Sequence, residues 1–175
     1  MIKQFKRALV LAPHTDDGEF GCGGTINRLA DEGCEVHYVA FSSCEESLPA
    51  GFPKDILVTE VKAATEALGV KPENLTVLNY KVRMFNYHRQ DILDDILKIK
   101  KRINPDVVFI PSKNDIHQDH ATITNEAIRG CKGCSILCYE LTWNNFNFNN
   151  ACFIALEEKH VNKKIEAINK YESQG

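Results

Sequence analysis

The stretch 8–24, ALVLAPHTDDGEFGCGG, decides how the chain reads. It belongs to a short apolar run (7–12, RALVLA) of the kind that forms a strand buried on both faces, and the run breaks at Pro13. His14, Asp16, Asp17 and Glu19 follow within six positions, interleaved with and followed by Gly18, Gly21, Gly23 and Gly24. Carboxylates held that close repel one another, and ordering them costs stability unless an opposite charge offsets it. A bound cation is the simplest such charge.

Outward from this stretch, apolar patterning alternates between strand and helix. GGTINRLADEG (23–33) reads as a helix stopped at Gly33, EVHYVAFSS (35–43) as a strand, and DILVTEVKAATEALG (55–69) as a helix stopped at Gly69. LTVLNY (75–80) is a strand candidate. HRQDILDDILKIKKRIN (88–104) places Ile92, Ile96, Ile99 and Ile103 on one helical face, and Pro105 blocks its continuation. DVVFIP (106–111) reads as a buried strand, HATITNEAIRG (120–130) as a helix, SILCYEL (135–141) as a strand and EEKHVNKKIEAINKY (157–171) as a closing helix. Strands separated by helices predict βαβ units. The expected fold is a Rossmann-like three-layer α/β/α sandwich with a mostly parallel sheet, in one domain over 1–175.

In such folds ligands bind outside the carboxyl ends of the strands. Two strands end in polar clusters there: PHTDDGE after the first, and PSKNDIHQDH (111–120) after 106–111. Together they bring His14, Asp16, Asp17, Asp115, His117, Asp119 and His120 to one edge of the sheet. Two histidines and a carboxylate form a common open zinc site that leaves a position for water. His14 and Asp17 lie three apart on a tight loop and can face one point, and His120 can arrive from the other strand end. Taken alone, HQDH reads more readily as a solvated helix start with Asp119 as its N-cap. The pairing of the two clusters favours metal.

Other functions find less support. The chain has 175 residues and a net charge of −3, which gives no electrostatic case for nucleic acid or an acidic membrane surface. No run approaches a membrane span, and the N-terminal apolar run is too short for a secretory signal, so the expected location is cytoplasmic. Seven cysteines, at 22, 34, 44, 131, 134, 138 and 152, read as reduced, buried or half-buried thiols, CKGC (131–134) included. Ile26 stands where a dinucleotide-binding glycine pattern needs its third glycine, and there is no phosphate-binding P-loop or serine nucleophile elbow.

APHTDDGEFGCGGTI resembles the His-Pro-Asp-Asp-Glu opening motif of the PIG-L/LmbE-like zinc-dependent N-acetylglucosaminyl deacetylases, and PSKNDIHQDHAT resembles their Asp-x-His-x-Asp-His motif. The intervening 81–112 resembles the family's arginine-bearing turn, helix and strand, and KKIEAINKYESQG its closing helix. Thr15 departs from the usual proline, and the acid after the Asp pair comes one position late, as Glu19. The chain also stops just past YESQG, where relatives continue, so a curtailed C-terminus is expected.

The resemblance implies a metal-dependent hydrolase that removes the N-acetyl group from a GlcNAc-type amino sugar, either as a small molecule or as a glycoconjugate. His14, Asp17 and His120 would hold Zn²⁺, although such donors also take Fe²⁺ or Co²⁺. Asp16 would be the general base. A protonated His117, oriented and raised in pKa by Asp119, would stabilise the oxyanion, and either Asp16 or His117 could protonate the leaving amine. Arg83 and Glu140 are the substrate-binding candidates, and the aromatic, Asn-rich TWNNFNFNN (142–150) a candidate sugar-site wall. The alternatives are a metal hydrolase acting on another amide or a phosphate ester, and a non-catalytic Rossmann-like binding module. Oligomeric state is not written in the sequence.

Overall fold

The computed structural model describes residues 5–48, 50–147, 149 and 151–174. Five strands, β1 (Arg7–Ala12), β2 (Glu35–Ala40), β3 (Leu75–Val77), β4 (Val107–Pro111) and β5 (Ser135–Tyr139), form one sheet in the order β3-β2-β1-β4-β5. Every neighbouring pair is parallel; Ala8 of β1 lies opposite Val36 of β2 and Val107 of β4. The helices are α1 (Asp17–Asp31), α2 (Ile56–Ala67), α3 (Arg89–Ile103), α4 (Gln118–Gly130) and α5 (Glu158–Ile168).

Strand alternation sorts the core into two layers. Ala8, Val10 and Ala12 of β1, with Val36 and Tyr38 of β2, face Ile26 of α1, Val61 and Ala64 of α2 and Ala167 of α5. Leu9 and Leu11, with Val108 and Ile110, face the Ile92, Ile96, Ile99 and Ile103 stripe of α3 and Ile123 of α4. This is the expected three-layer α/β/α sandwich. The first three strands run outward to one edge, and the chain then crosses back to place β4 on the other side of β1. The strand order therefore reverses between β1 and β4, and a crevice opens beyond their carboxyl ends.

Helix α1 differs from expectation. It starts at Asp17 rather than Gly23, so Gly18 and Gly21 also lie inside the helix. Each has a packing reason. A Cβ on Gly18 would sit 2.5 Å from the Tyr38 ring, and one on Gly21 would sit 2.2 Å from the Tyr139 ring. The helix bends at Cys22 (φ −143°, ψ 21°), and Lys164 Nζ donates to the Phe20 carbonyl beside the bend at 2.7 Å. The first turn of α1 is thus a separate short platform carrying Asp17 and Glu19. All seven cysteines are free thiols, and Cys138 and Cys152 are exposed rather than half-buried.

Candidate metal centre

The loop after β1 brings in His14, Asp16 and Asp17, and the loop after β4 brings in Asp115, His117, Asp119 and His120. His14 Nδ1, Asp17 Oδ2 and His120 Nε2 converge. The two nitrogens are 3.2 Å apart, and they lie 3.2 and 3.3 Å from the oxygen. Donor atoms at about 2.0–2.1 Å from a tetrahedral zinc lie about 3.3–3.4 Å from one another, so the triangle has the right dimensions for one face of such a site.

Proton placement supports the same fit. His120 Nδ1 is 2.8 Å from Asp115 Oδ2, and His14 Nε2 is 3.1 Å from Asp119 Oδ2. With the outer nitrogens donating to carboxylates, both inner nitrogens of the neutral rings present lone pairs toward the Asp17 oxygen. Three acceptors face one another with no hydrogen among them, an arrangement that needs a proton or a cation. In the metal-free chain a proton serves. Burial opposes charge on His120, but Asp17 and Asp115 outweigh it and lift the group to about 9. His14 is likewise raised, against burial, by Asp119 and Asp17. Burial alone would raise Asp17, yet the two imidazoles hold it well below the usual carboxylate range.

Asp16 precedes the first turn of α1 and makes no side-chain capping bond to it. Burial, and then the adjacent Asp17 charge, push its carboxyl up to about 6. His117, rather than Asp119, is the N-cap of α4, and its Nδ1 accepts from the Asp119 N–H at 3.2 Å. In the neutral ring the proton therefore sits on Nε2. The expected pairing of the Asp119 carboxylate with His117 is not found. That carboxylate is taken by His14 and by the backbone N–H groups of Arg83 (2.6 Å) and Phe85 (3.3 Å). Burial and the neighbouring His120 and His14 push His117 below its ordinary pKa, against the expected elevation. His14, His117 and His120 also offer ring nitrogens within 4.8 Å of one another, a second three-donor grouping.

A hollow of about 260 Å³ above these groups is lined by His14, Asp16, Cys44, Arg83, His117 and Gln174, among others. Arg83 sits there at φ 68°, a left-handed conformation uncommon for a non-glycine residue and fixed here by its N–H bond to Asp119. Glu140 lies elsewhere, in a cleft of about 650 Å³ beside β5 with Lys113 and Tyr139. In the aromatic segment, Trp143 packs edge-on against Phe20 and Asn145 pairs with Asp115 across an isolated bridge; Phe148 and Asn150 lie outside the described residues. Gln174 lies at the end of the KKIEAINKYESQG segment that resembles the family's closing helix, but it was not among the expected site residues. Only the closure of the chain end onto the site places it there.

With this geometry in view, comparison with known proteins identifies the relatives. Residues 9–131 match the family described as "PIG-L: GlcNAc-PI de-N-acetylase". The chain belongs to this family. YaiS of Escherichia coli K12, an uncharacterized deacetylase, is 27% identical, the match covering 96% of this chain and 91% of that protein. The diacetylchitobiose deacetylase of Thermococcus kodakarensis is 25% identical over 95% of this chain but only 60% of its own length. Among solved structures, the N,N′-diacetylchitobiose deacetylase of Pyrococcus horikoshii superposes with a TM-score of 0.80 at 24% identity, covering 99% of this chain and 72% of that one. At that identity the likeness establishes the shared fold. PIG-L motifs thus occupy both strand ends of the crevice, and no described helix is long and apolar enough to cross a membrane.

Proposed function

We propose that this PIG-L family member is a zinc-dependent hydrolase that removes the N-acetyl group from a GlcNAc-type amino sugar or its conjugate. The observation that carries the reading is the convergence of His14 Nδ1, Asp17 Oδ2 and His120 Nε2 within 3.2–3.3 Å of one another, beneath a hollow lined by Asp16 and His117. His14, Asp17 and His120 would hold the ion, with Asp119 and Asp115 orienting the two imidazoles from outside. When bound, zinc supplies Lewis-acid polarisation of the acetyl carbonyl and brings the pKa of a coordinated water to about 7.

The remaining steps fall to the chain. Asp16 accepts a proton from the attacking water as general base. His117, held with its proton on Nε2, donates that N–H to the oxyanion that develops on the carbonyl, and does so as a neutral ring. The proton taken by Asp16 is then available to the leaving amine, so that amide and water become amine and acetate. Arg83 at the rim offers its guanidinium to sugar hydroxyls or to an anionic substituent. The amino-sugar substrate class is supported by family membership and by the deacetylase activities named for the relatives in Thermococcus and Pyrococcus.

The test is acetate release from N-acetylglucosamine and simple conjugates by the zinc-loaded chain, with metal measured on the same samples. The reading requires about one zinc per chain. His14→Ala should lose both metal and activity, and Asp16→Ala should lose activity alone. Failure to bind metal after reconstitution would overturn it.

A further inference from the structure

The C-terminal turn, Glu172–Gln174, approaches the hollow from the α2 side and places Gln174 on its wall together with Asp16, Arg83 and His117. Two buried attachments hold this turn. Tyr171 donates its O–H to the Thr15 carbonyl at 2.8 Å, within the metal-site loop. Ser173 donates its N–H to Glu60 Oε1 at 2.9 Å and its hydroxyl to Oε2 at 2.6 Å. Glu60 is 5% exposed and Ser173 4%.

Burying a carboxyl group costs desolvation unless its oxygens are bonded, and both oxygens of Glu60 bond to this one residue. Ser173 does not line the hollow; its neighbour Gln174 does. The Gln174 carboxamide is itself oriented, with Nε2 turned back to the Ser173 carbonyl (3.2 Å) and hydroxyl (3.3 Å). That leaves Oε1 as an acceptor free of these contacts.

We propose that Gln174 binds substrate, its carboxamide oxygen accepting from a hydroxyl or amide N–H of the amino sugar, and that Glu60 is the positioning residue that sets Gln174 through Ser173. The inference rests on the amino-sugar reading above. A lost hydrogen bond to a neutral partner lowers affinity, and a group bound equally in ground and transition states changes KM rather than kcat.

The experiment compares zinc-loaded wild type, Gln174→Ala, Glu60→Ala and Glu60→Gln in acetate release from N-acetylglucosamine. Gln174→Ala and Glu60→Ala should raise KM about 3- to 10-fold with kcat within about twofold. Zinc content and melting temperature of Gln174→Ala should match wild type. Glu60→Gln should stay near wild type, because its amide oxygen keeps the Ser173 N–H and its NH₂ can donate to the hydroxyl. An unchanged KM in Gln174→Ala overturns the proposal by itself, whether or not Glu60→Ala folds. Equal impairment of kcat and zinc content in Glu60→Ala and Glu60→Gln would reduce Glu60 to a structural residue. A wild type that releases no acetate counts instead against the deacetylase reading, and this inference falls with it.

Discussion

Asp119 holds His14, not its neighbour in sequence His117: its Oδ2 lies 3.1 Å from His14 Nε2, while only its backbone N–H turns to His117. The same carboxylate ties down the Arg83 and Phe85 N–H groups. One buried side chain thus links the β1 loop, the β4 loop and the turn carrying Arg83. It fixes the ring whose other nitrogen faces His120 Nε2 and Asp17 Oδ2.

Asp119→Asn removes the charge that orients His14. Outer-sphere partners of this kind typically contribute 10- to 100-fold to metal affinity. Zinc affinity measured by competition with a chromophoric chelator should fall by about that factor, and Asp115→Asn, acting on His120, should give a similar loss. An unchanged affinity in both variants would remove the two carboxylates from the metal site.

Asp16→Asn separates the proposed base from the metal ligands. General-base catalysis contributes about 10²–10⁴-fold, so kcat should drop within that range while zinc stays near one per chain. Loss of zinc together with activity would make Asp16 a ligand and reassign the site.

Gly21→Ala tests the close approach of α1 to the sheet. The new Cβ would lie 2.2 Å from a Tyr139 ring carbon, and Tyr139 cannot readily give way because its hydroxyl is bonded to the Leu11 carbonyl at 3.0 Å. Overpacking of this kind costs about 1–3 kcal/mol. A urea denaturation series should show that loss, and a variant as stable as wild type would mean that the ring moves aside easily.

What the sequence made legible was local. The Ile92–Ile103 stripe of α3 and the apolar runs of β1 and β4 declare themselves because strand and helix periods are short-range signals. The gathering of His14, Asp17 and His120 was readable because two polar clusters follow two buried parallel strands. The start of α1 was not: Gly18 and Gly21 are poor helix formers, and the turn is held by tertiary partners, Tyr38 beneath it and Lys164 from α5. The partner of Asp119 was misread for a related reason, since sequence proximity suggested His117 while folding delivered His14 from 105 positions away. Glu140 was placed on the correct edge of the sheet but falls in the β5 cleft. The bond between Glu60 and Ser173 spans 113 positions and has no local signature.

The last prediction concerns Glu19, fully buried beneath the loop that carries His14 and Asp16. Tyr38 and Tyr171 both contact its carboxyl group, the latter at 2.9 Å, and both also reach the Thr15 carbonyl, at 3.1 and 2.8 Å. Two phenol protons cannot serve all of these contacts at once. A proton on Glu19 supplies a third donor, and burial favours the same neutral form, pushing the group up to about 8 despite the two tyrosines. The folded chain then holds one more proton than the unfolded chain between the ordinary glutamate range and pH about 8. Its contribution to stability is therefore complete below the unfolded pKa of about 4.3 and is lost as pH rises through the folded value. Glu19→Gln, which keeps the shape without the titration, should unfold with a flatter pH dependence than wild type. Urea unfolding at pH 5 and pH 8 should show wild type losing stability relative to Glu19→Gln over that interval. Parallel curves for the two proteins would mean that Glu19 is ionised in the fold.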